Sequence, residues 1–303
     1  MSDSYDVIIA GGGIAGLTAA TTAARLGMRT LIFTGGVLGG HLVMIEKIDG
    51  FPGHPEGIPG FDLCPATEEA AVEAGAEFVA EDIAAMKPDG DGYKVKSDSG
   101  EYSARALIVA TGTTLRPLGL PAEEQYFGKG VSHCASCDAP MLKGKPVAVV
   151  GGGDSALQEA LVLIPVCSKV TIVTDGEGLT GQQAYISKIE EATNVEIKTG
   201  AQVLDIEGDG NVVTGLKISS AAGEETIPAE AVFVFIGLMP NSWLVPEKFQ
   251  DEYGFVKAGG DMRTERKGLY ACGTVRAGAT FRAASAAGEG ASAALNAYAD
   301  LQG

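Results

Sequence analysis

The stretch from Tyr5 to Gly27 reads YDVIIAGGGIAGLTAATTAARLG. Its first six residues are apolar apart from Asp6, the pattern of a strand buried on both faces. Gly11, Gly12, Gly13 and Gly16 follow, opening a segment with helical spacing that stops at Gly27, a C-cap position. TLIFT, Thr30 to Thr34, supplies a second buried strand. A strand, a glycine turn and a helix start in this order let the backbone approach a pyrophosphate at a helix N-terminus.

The same order recurs further on. PVAVV ends at Val150, Gly151-Gly152-Gly153 makes the turn, Asp154-Ser155-Ala156 opens LQEALVL, and VTIVTD gives the next strand. The glycine spacing alone says little: with 43 glycines in 303 residues, about one GxGxxG arises by chance. Gly176–Gly181 matches too and reads as a loop. Gly288–Ala293 fits the relaxed form and reads as helix packing or a helix start. The flanking strands and helices therefore carry the argument. They predict an α/β protein with two Rossmann-like dinucleotide-binding domains; two βαβ units in one doubly wound sheet is the alternative.

A chain of 303 residues accommodates about two domains. The net charge of −17 disfavours nucleic acid and anionic membranes as partners, since both need clustered Lys and Arg. No apolar run is long enough to span a bilayer, and MSDSYDVIIA has no basic leader, so a cytoplasmic protein is expected.

The five cysteines are Cys64, Cys134, Cys137, Cys167 and Cys272. An odd total does not suit a disulfide-stapled secreted scaffold. Cys134 and Cys137 form a CxxC just ahead of the second glycine loop. A structural zinc site would need two further ligands, and His41, His54 and His133 form no second pair, so no metal is expected. A redox centre is the expected reading; the other three cysteines read as small core residues.

With these loops in place, the chain resembles the low-molecular-weight thioredoxin reductases along nearly its whole length. The resemblance is carried by GGGIAGL, IDGFPG (Ile48–Gly53), ATGTT (Ala110–Thr114), CASCD (Cys134–Asp138) and GGGDSALQEAL. IGLMPN (Ile236–Asn241), GLYACG (Gly268–Gly273) and AAGEG (Ala286–Gly290) complete it. It implies an FAD/NAD(P)-binding fold of three-layer ββα type, with one domain inserted in the other. The FAD domain would be residues 1–114 plus 243–303, and the inserted NAD(P)-binding-like domain, carrying the CxxC, residues 115–242. Family members are usually homodimers whose domains rotate between reduction states. The Glu- and Ala-rich stretch Phe61–Ala76 is a place for dimer contacts.

The resemblance further implies that FAD is held by Gly11, Gly13, Ile14, Ala15, Gly16, Thr34, Gly39, Gly40, Asp49, Ala110, Thr111, Gly112, Gly273, Thr274, Arg282 and Ala283. Cys137 would take electrons from the flavin, Cys134 would attack an external disulfide, and Asp138 would move the proton. Asp138 can also be read as a helix N-cap. His133 has no family role and reads as a surface residue. Glu159 matches a family position but can equally be a solvated face residue.

The chain departs from the family in several places. Ala139-Pro140-Met141 replaces a glycine and aromatics beside the dithiol, which puts thioredoxin itself in doubt as substrate. NADPH-dependent members carry His-Arg-Arg and a further Arg after the second strand of the inserted domain. Here those arginine positions are Asp175, Gly176 and Thr180. An acid about twenty residues beyond the glycine loop suits a 2′-hydroxyl and repels a 2′-phosphate. A second nucleotide site at Gly151, Gly153, Asp154, Ser155, Ala156 and Asp175 is therefore expected to disfavour NADPH. NADH, a ferredoxin or a deazaflavin stays open as donor. The family's Gly-Asp is Gly273-Thr274, and Arg282 stands in a glutamine position. That arginine either favours the anionic reduced flavin or pairs with a surface carboxylate.

The expected function is electron transfer from a donor through FAD to the Cys134–Cys137 disulfide. A thioredoxin-like protein or a small-molecule disulfide would receive the electrons. A dithiol oxidase using oxygen and a non-catalytic flavoprotein redox sensor are the alternatives.

Overall fold

The computed structural model describes residues 3–303. The chain forms two compact units, Met1–Thr114 with Met239–Gly303, and Leu115–Leu238. The first unit opens with β1 (Asp3–Ala10), α1 (Ile14–Arg25), β2 (Thr30–Phe33), α2 (Gly60–Glu73) and β3 (Glu77–Val79). A meander follows: β4 (Ala85–Asp89), β5 (Gly92–Ser97) and β6 (Gly100–Val109). The sheet runs β3-β2-β1-β6-β5-β4. β1 lies parallel between β2 and β6, with Ile8 opposite Leu31 and Leu107. Val7, Ile8 and Ile9 are fully buried because both sheet faces are covered, which is why this strand reads as an unbroken apolar run.

β7 (Thr113–Leu115) carries the chain out of this unit. The second unit begins with α3 (Pro121–Gln125), β8 (Val131–Ser132) and the single turn α4 (Ala135–Asp138). Then come β9 (Pro146–Val150), α5 (Asp154–Leu163), β10 (Lys169–Val173), α6 (Gln183–Glu190) and β11 (Val195–Lys198). Three antiparallel strands follow, β12 (Gln202–Gly208), β13 (Val213–Ser220) and β14 (Gly223–Pro228), and β15 (Ala231–Val234) returns to the parallel sheet. That sheet has the order β11-β10-β9-β15-β8. Leu157, Ala160 and Leu163 of α5 pack on one face of it. Ile206, Leu216 and Ile218 of the antiparallel strands pack with Ala148 and Val150 on the other, giving three ββα layers.

β16 (Leu238–Pro240) leads back, β17 (Leu269–Ala271) adds to β6 in parallel, and α7 (Ala283–Gln302) closes the first unit. The boundary between Leu238 and Met239 falls before the 242/243 that the family resemblance implies. The reason is local: Asn241 donates its side-chain amide to Thr111 O (3.0 Å) and accepts the Thr111 hydroxyl (2.6 Å), so residues 239–242 belong with the first unit.

α7 packs along α1. At Gly290 an added Cβ would lie 2.1 Å from Ala15 O, so only glycine lets the helices come this close. The relaxed glycine match at Gly288–Ala293 is thus helix packing. Arg263 clamps Asp300 at the end of α7 with two bonds of 2.8 Å, and the Tyr270 hydroxyl adds a third of 2.6 Å. α2 buries Leu63, Cys64 and Ala71 while Phe61 and Val72 stay exposed.

Candidate active site

In the first unit the glycine turn lies between β1 and α1. An added Cβ at Gly11 would lie 2.3 Å from Ala110 O, and one at Gly16 would lie 1.9 Å from Gly11 O. Gly13 has open space where its side chain would be. α1 has no side-chain cap and no acid in its first turn, so no side chain competes with an anion at this helix N-terminus. Ile14 and Ala15 are buried at its start. Gly39 bridges to Gly13, and Gly40 follows against it. Thr34 packs on Gly12, with its hydroxyl close to the carbonyls of Gly35 and Val79.

Ala110, Thr111 and Gly112 follow β6 beside this turn. Gly112 approaches Thr274 Oγ1, which is also 3.1 Å from Thr113 Oγ1. Gly273 sits in the left-handed region at φ 72°, against Ala15 and Ala286. Gly273, Thr274 and Arg282 line one recess with Phe281 at the start of α7, and Ala283 is that helix's first residue. Arg282 is exposed and precedes the helix. Asp49 lies in the turn closed by the Ile48–Ile58 bridge, 3.4 Å from Lys47 Nζ. Glu289 is the residue that sequence reasoning passed over. Its carboxylate accepts the Gly273 N–H at 2.8 Å and pairs with Arg276, fixing the Gly273-Thr274 turn. An acid set among small residues in the first half of an Ala-rich helix was the available signal.

In the second unit, Cys134 and Cys137 are joined as a disulfide with Cα atoms 5.4 Å apart. Cys134 caps α4, its sulfur accepting the Cys137 N–H at 3.2 Å. The same donor would stabilise a Cys134 thiolate after reduction. Cys137 is exposed and Cys134 half-buried. Glu159 is buried, not solvated: it accepts the Ala135 N–H at 2.6 Å and ties α5 to the dithiol turn. Asp138 is half-buried at the end of this turn, and its side chain makes no capping bond. His133 is not a surface residue. It is half-buried against Phe127, with ring centroids 5.5 Å apart. The remaining cysteines are buried, and burial pushes all three thiols above their ordinary value, so they are poor nucleophiles.

The second glycine turn is also formed. An added Cβ at Gly151 would lie 2.2 Å from Phe235 O, and Gly153 caps α5. Ala156 is buried and Ser155 exposed. The segment after β10 folds against this turn: Thr180 N–H donates to Gly152 O (2.8 Å), and Asp154 accepts Gln182 N–H (2.6 Å). Asp175 is exposed at the strand's end.

Two dinucleotide-type turns and a CxxC disulfide define a disulfide oxidoreductase of two Rossmann-like domains. The pyridine nucleotide-disulphide oxidoreductase family model matches residues 5–292. Thioredoxin reductase of Listeria monocytogenes is 38% identical, covering 97% of this chain and 92% of that protein. Among solved structures, Lactococcus lactis thioredoxin reductase superposes with a TM-score of 0.93 at 31% identity, covering 98% of this chain and 99% of that one. T. acidophilum thioredoxin reductase gives a TM-score of 0.93 at 32% identity, covering 100% of both chains. The chain belongs to this family and, within it, to the low-molecular-weight thioredoxin reductase type: an FAD-dependent disulfide oxidoreductase. The uncapped α1 terminus, the glycine contacts at Gly11 and Gly16 and the open space at Gly13 fit a bound dinucleotide such as FAD. Among the described residues no helix is long and apolar enough to cross a membrane.

Proposed function

We propose that this protein is a cytoplasmic disulfide reductase in which Cys134–Cys137 passes electrons to an external disulfide, with a donor other than NADPH. The observation that carries the reading is the disulfide itself, held in a turn whose N–H groups bond Cys134 Sγ and the Glu159 carboxylate. FAD, when bound, supplies a two-electron carrier. Two electrons break the S–S bond. The Cys134 sulfur attacks the partner disulfide, expelling one of its sulfurs, which takes a proton by way of Asp138, the residue after Cys137. Cys137 then displaces the second partner sulfur, which takes a second proton from water, so that a dithiol is released and the Cys134–Cys137 bond restored. Cys134 is the less exposed residue of the pair.

The FAD site we assign to Gly11, Gly13, Gly16, the ends of β6 and the Gly273-Thr274 turn, with Arg282 at its rim. Against NADPH stands the carboxylate of Asp175, exposed at the end of β10 where a 2′-phosphate would need cations. A thioredoxin-like protein or a small disulfide is the acceptor, and the exposed Phe61 and Val72 of α2 suit a homodimer contact.

The test is anaerobic mixing with NADPH, NADH, reduced ferredoxin, reduced deazaflavin and a small dithiol, followed at the flavin absorbance. The expected outcome is bleaching by the dithiol and none by micromolar NADPH. Rapid bleaching by micromolar NADPH would overturn the donor assignment; failure of the dithiol to bleach would overturn the relay.

A further inference from the structure

The residue before the nucleophile sits in an unusual environment. His133 lies between β8 and α4, and its Nε2 is buried without a hydrogen-bond partner in the chain. Glu123, on α3, is only 6% exposed. One of its oxygens, Oε2, accepts the Gly119 N–H at 3.0 Å, while Oε1 is buried without a partner. Two orphaned atoms of complementary kind, an imidazole nitrogen and a carboxylate oxygen, thus belong to side chains in one region. Such atoms are rare in folded proteins, because each costs the desolvation of a polar group. Of the described residues, Glu123 is the charged side chain whose field acts on the ring; Phe127 supplies an uncharged wall.

We propose that His133, backed by Glu123, is a positioning residue for the dithiol: it takes up a proton when the disulfide is reduced and, as an imidazolium, stabilises the Cys134 thiolate. The inference rests on the reading of Cys134 as the attacking sulfur. Reduction of the S–S bond by two electrons yields two thiolate sulfurs. One proton goes to Cys137 and one to the His133–Glu123 pair, so two protons are taken up and Cys134 keeps its negative charge. In the oxidised form burial holds the His133 imidazole below its ordinary value, while the Glu123 carboxylate pulls it upward. A thiolate on the next residue adds a second negative charge and tips the balance toward the protonated ring. By linkage the imidazolium lowers the Cys134 value in return. Glu123 matters because its buried carboxylate is the negative charge that acts on the ring.

The experiment is alkylation of the reduced holoenzyme by limiting iodoacetamide between pH 5 and 9, with peptide mapping to identify the modified sulfur. Wild type, His133→Gln and Glu123→Gln are compared, each required to retain bound FAD. The expected result is that Cys134 labels first and that its apparent pKa rises by about one unit in His133→Gln, a roughly tenfold loss of thiolate below that pKa. Glu123→Gln, nearly isosteric, is expected to give a smaller rise. The proposal also predicts that the imidazole NMR signal of His133, assignable among three histidines by its loss in His133→Gln, titrates at higher pH in the reduced enzyme than in the oxidised one. Labelling of Cys134 with an unchanged pH profile in both variants overturns the proposal alone. First labelling of Cys137 in the wild type overturns the assignment of Cys134 as attacker, and the proposal with it.

Discussion

Replacing Cys137 by serine is expected to abolish disulfide turnover, lowering it by about a thousandfold or more, while FAD stays bound. The exchange needs a resolving thiolate, and a serine hydroxyl, with a far higher pKa, cannot take that role. The remaining cysteines cannot substitute: Cys64, Cys167 and Cys272 are all buried, with thiols raised by desolvation. The FAD cradle we assign lies in the other unit and is built from the backbone of Gly11, Gly16 and Gly273, which the substitution does not touch. Loss of a cross-link spanning so short a loop removes about 2 kcal/mol at most in the chain-entropy model. Turnover with a small disulfide under a donor that bleaches the flavin gives the rate, and the flavin spectrum after gel filtration gives the occupancy. A variant that loses FAD and activity together would not bear out the separation of cradle from dithiol.

The second large effect concerns the donor. The double substitution Asp175→Arg with Gly176→Arg is expected to tighten NADPH binding by about a hundredfold or more, with a smaller change for NADH. It removes one repulsive carboxylate and offers two guanidinium groups, and charge-assisted hydrogen bonds are worth about 1.5–3 kcal/mol each. The backbone admits the change. Asp175 is exposed, and a Cβ at Gly176 would meet Gly178 O at 3.4 Å and Thr174 Oγ1 at 3.6 Å, ordinary van der Waals contacts. Fluorescence titration with each nucleotide gives the two dissociation constants directly. An equal gain for NADH and NADPH would mean that the charges attract any dinucleotide and that Asp175 does not discriminate at the 2′ position.

How much of this was legible in the sequence depended on what fixes each feature. β1-α1-β2 and β9-α5-β10 could be read because strands buried on both faces are continuous apolar runs, and glycines mark the turns between strand and helix. Gly11, Gly16 and Gly151 are required by backbone atoms 2 Å or so away, a constraint written in residue identity. Glu159 and His133 were different. A carboxylate on a helix and a histidine beside a cysteine carry no periodicity that says whether they face water. Their surroundings are set by tertiary partners, Ala135 for Glu159, and Glu123 with Phe127 for His133. The same holds for the end of the inserted unit. Asn241 follows a proline, and its bonds to Thr111 and Gly112 place it with the first unit. Glu289 sat inside a motif that was read as a family marker, while its contacts with Gly273 and Arg276 became visible only in three dimensions.

The central claim is that flavin and the Cys134–Cys137 disulfide form one electron-accepting system. An anaerobic dithionite titration of the holoenzyme tests it most directly, because it depends on no natural donor. The account predicts that full reduction consumes two equivalents per FAD, four electrons shared between the flavin and one disulfide, and that Cys137→Ser consumes one. Complete reduction of the wild type by a single equivalent, with no free thiols appearing, would contradict it.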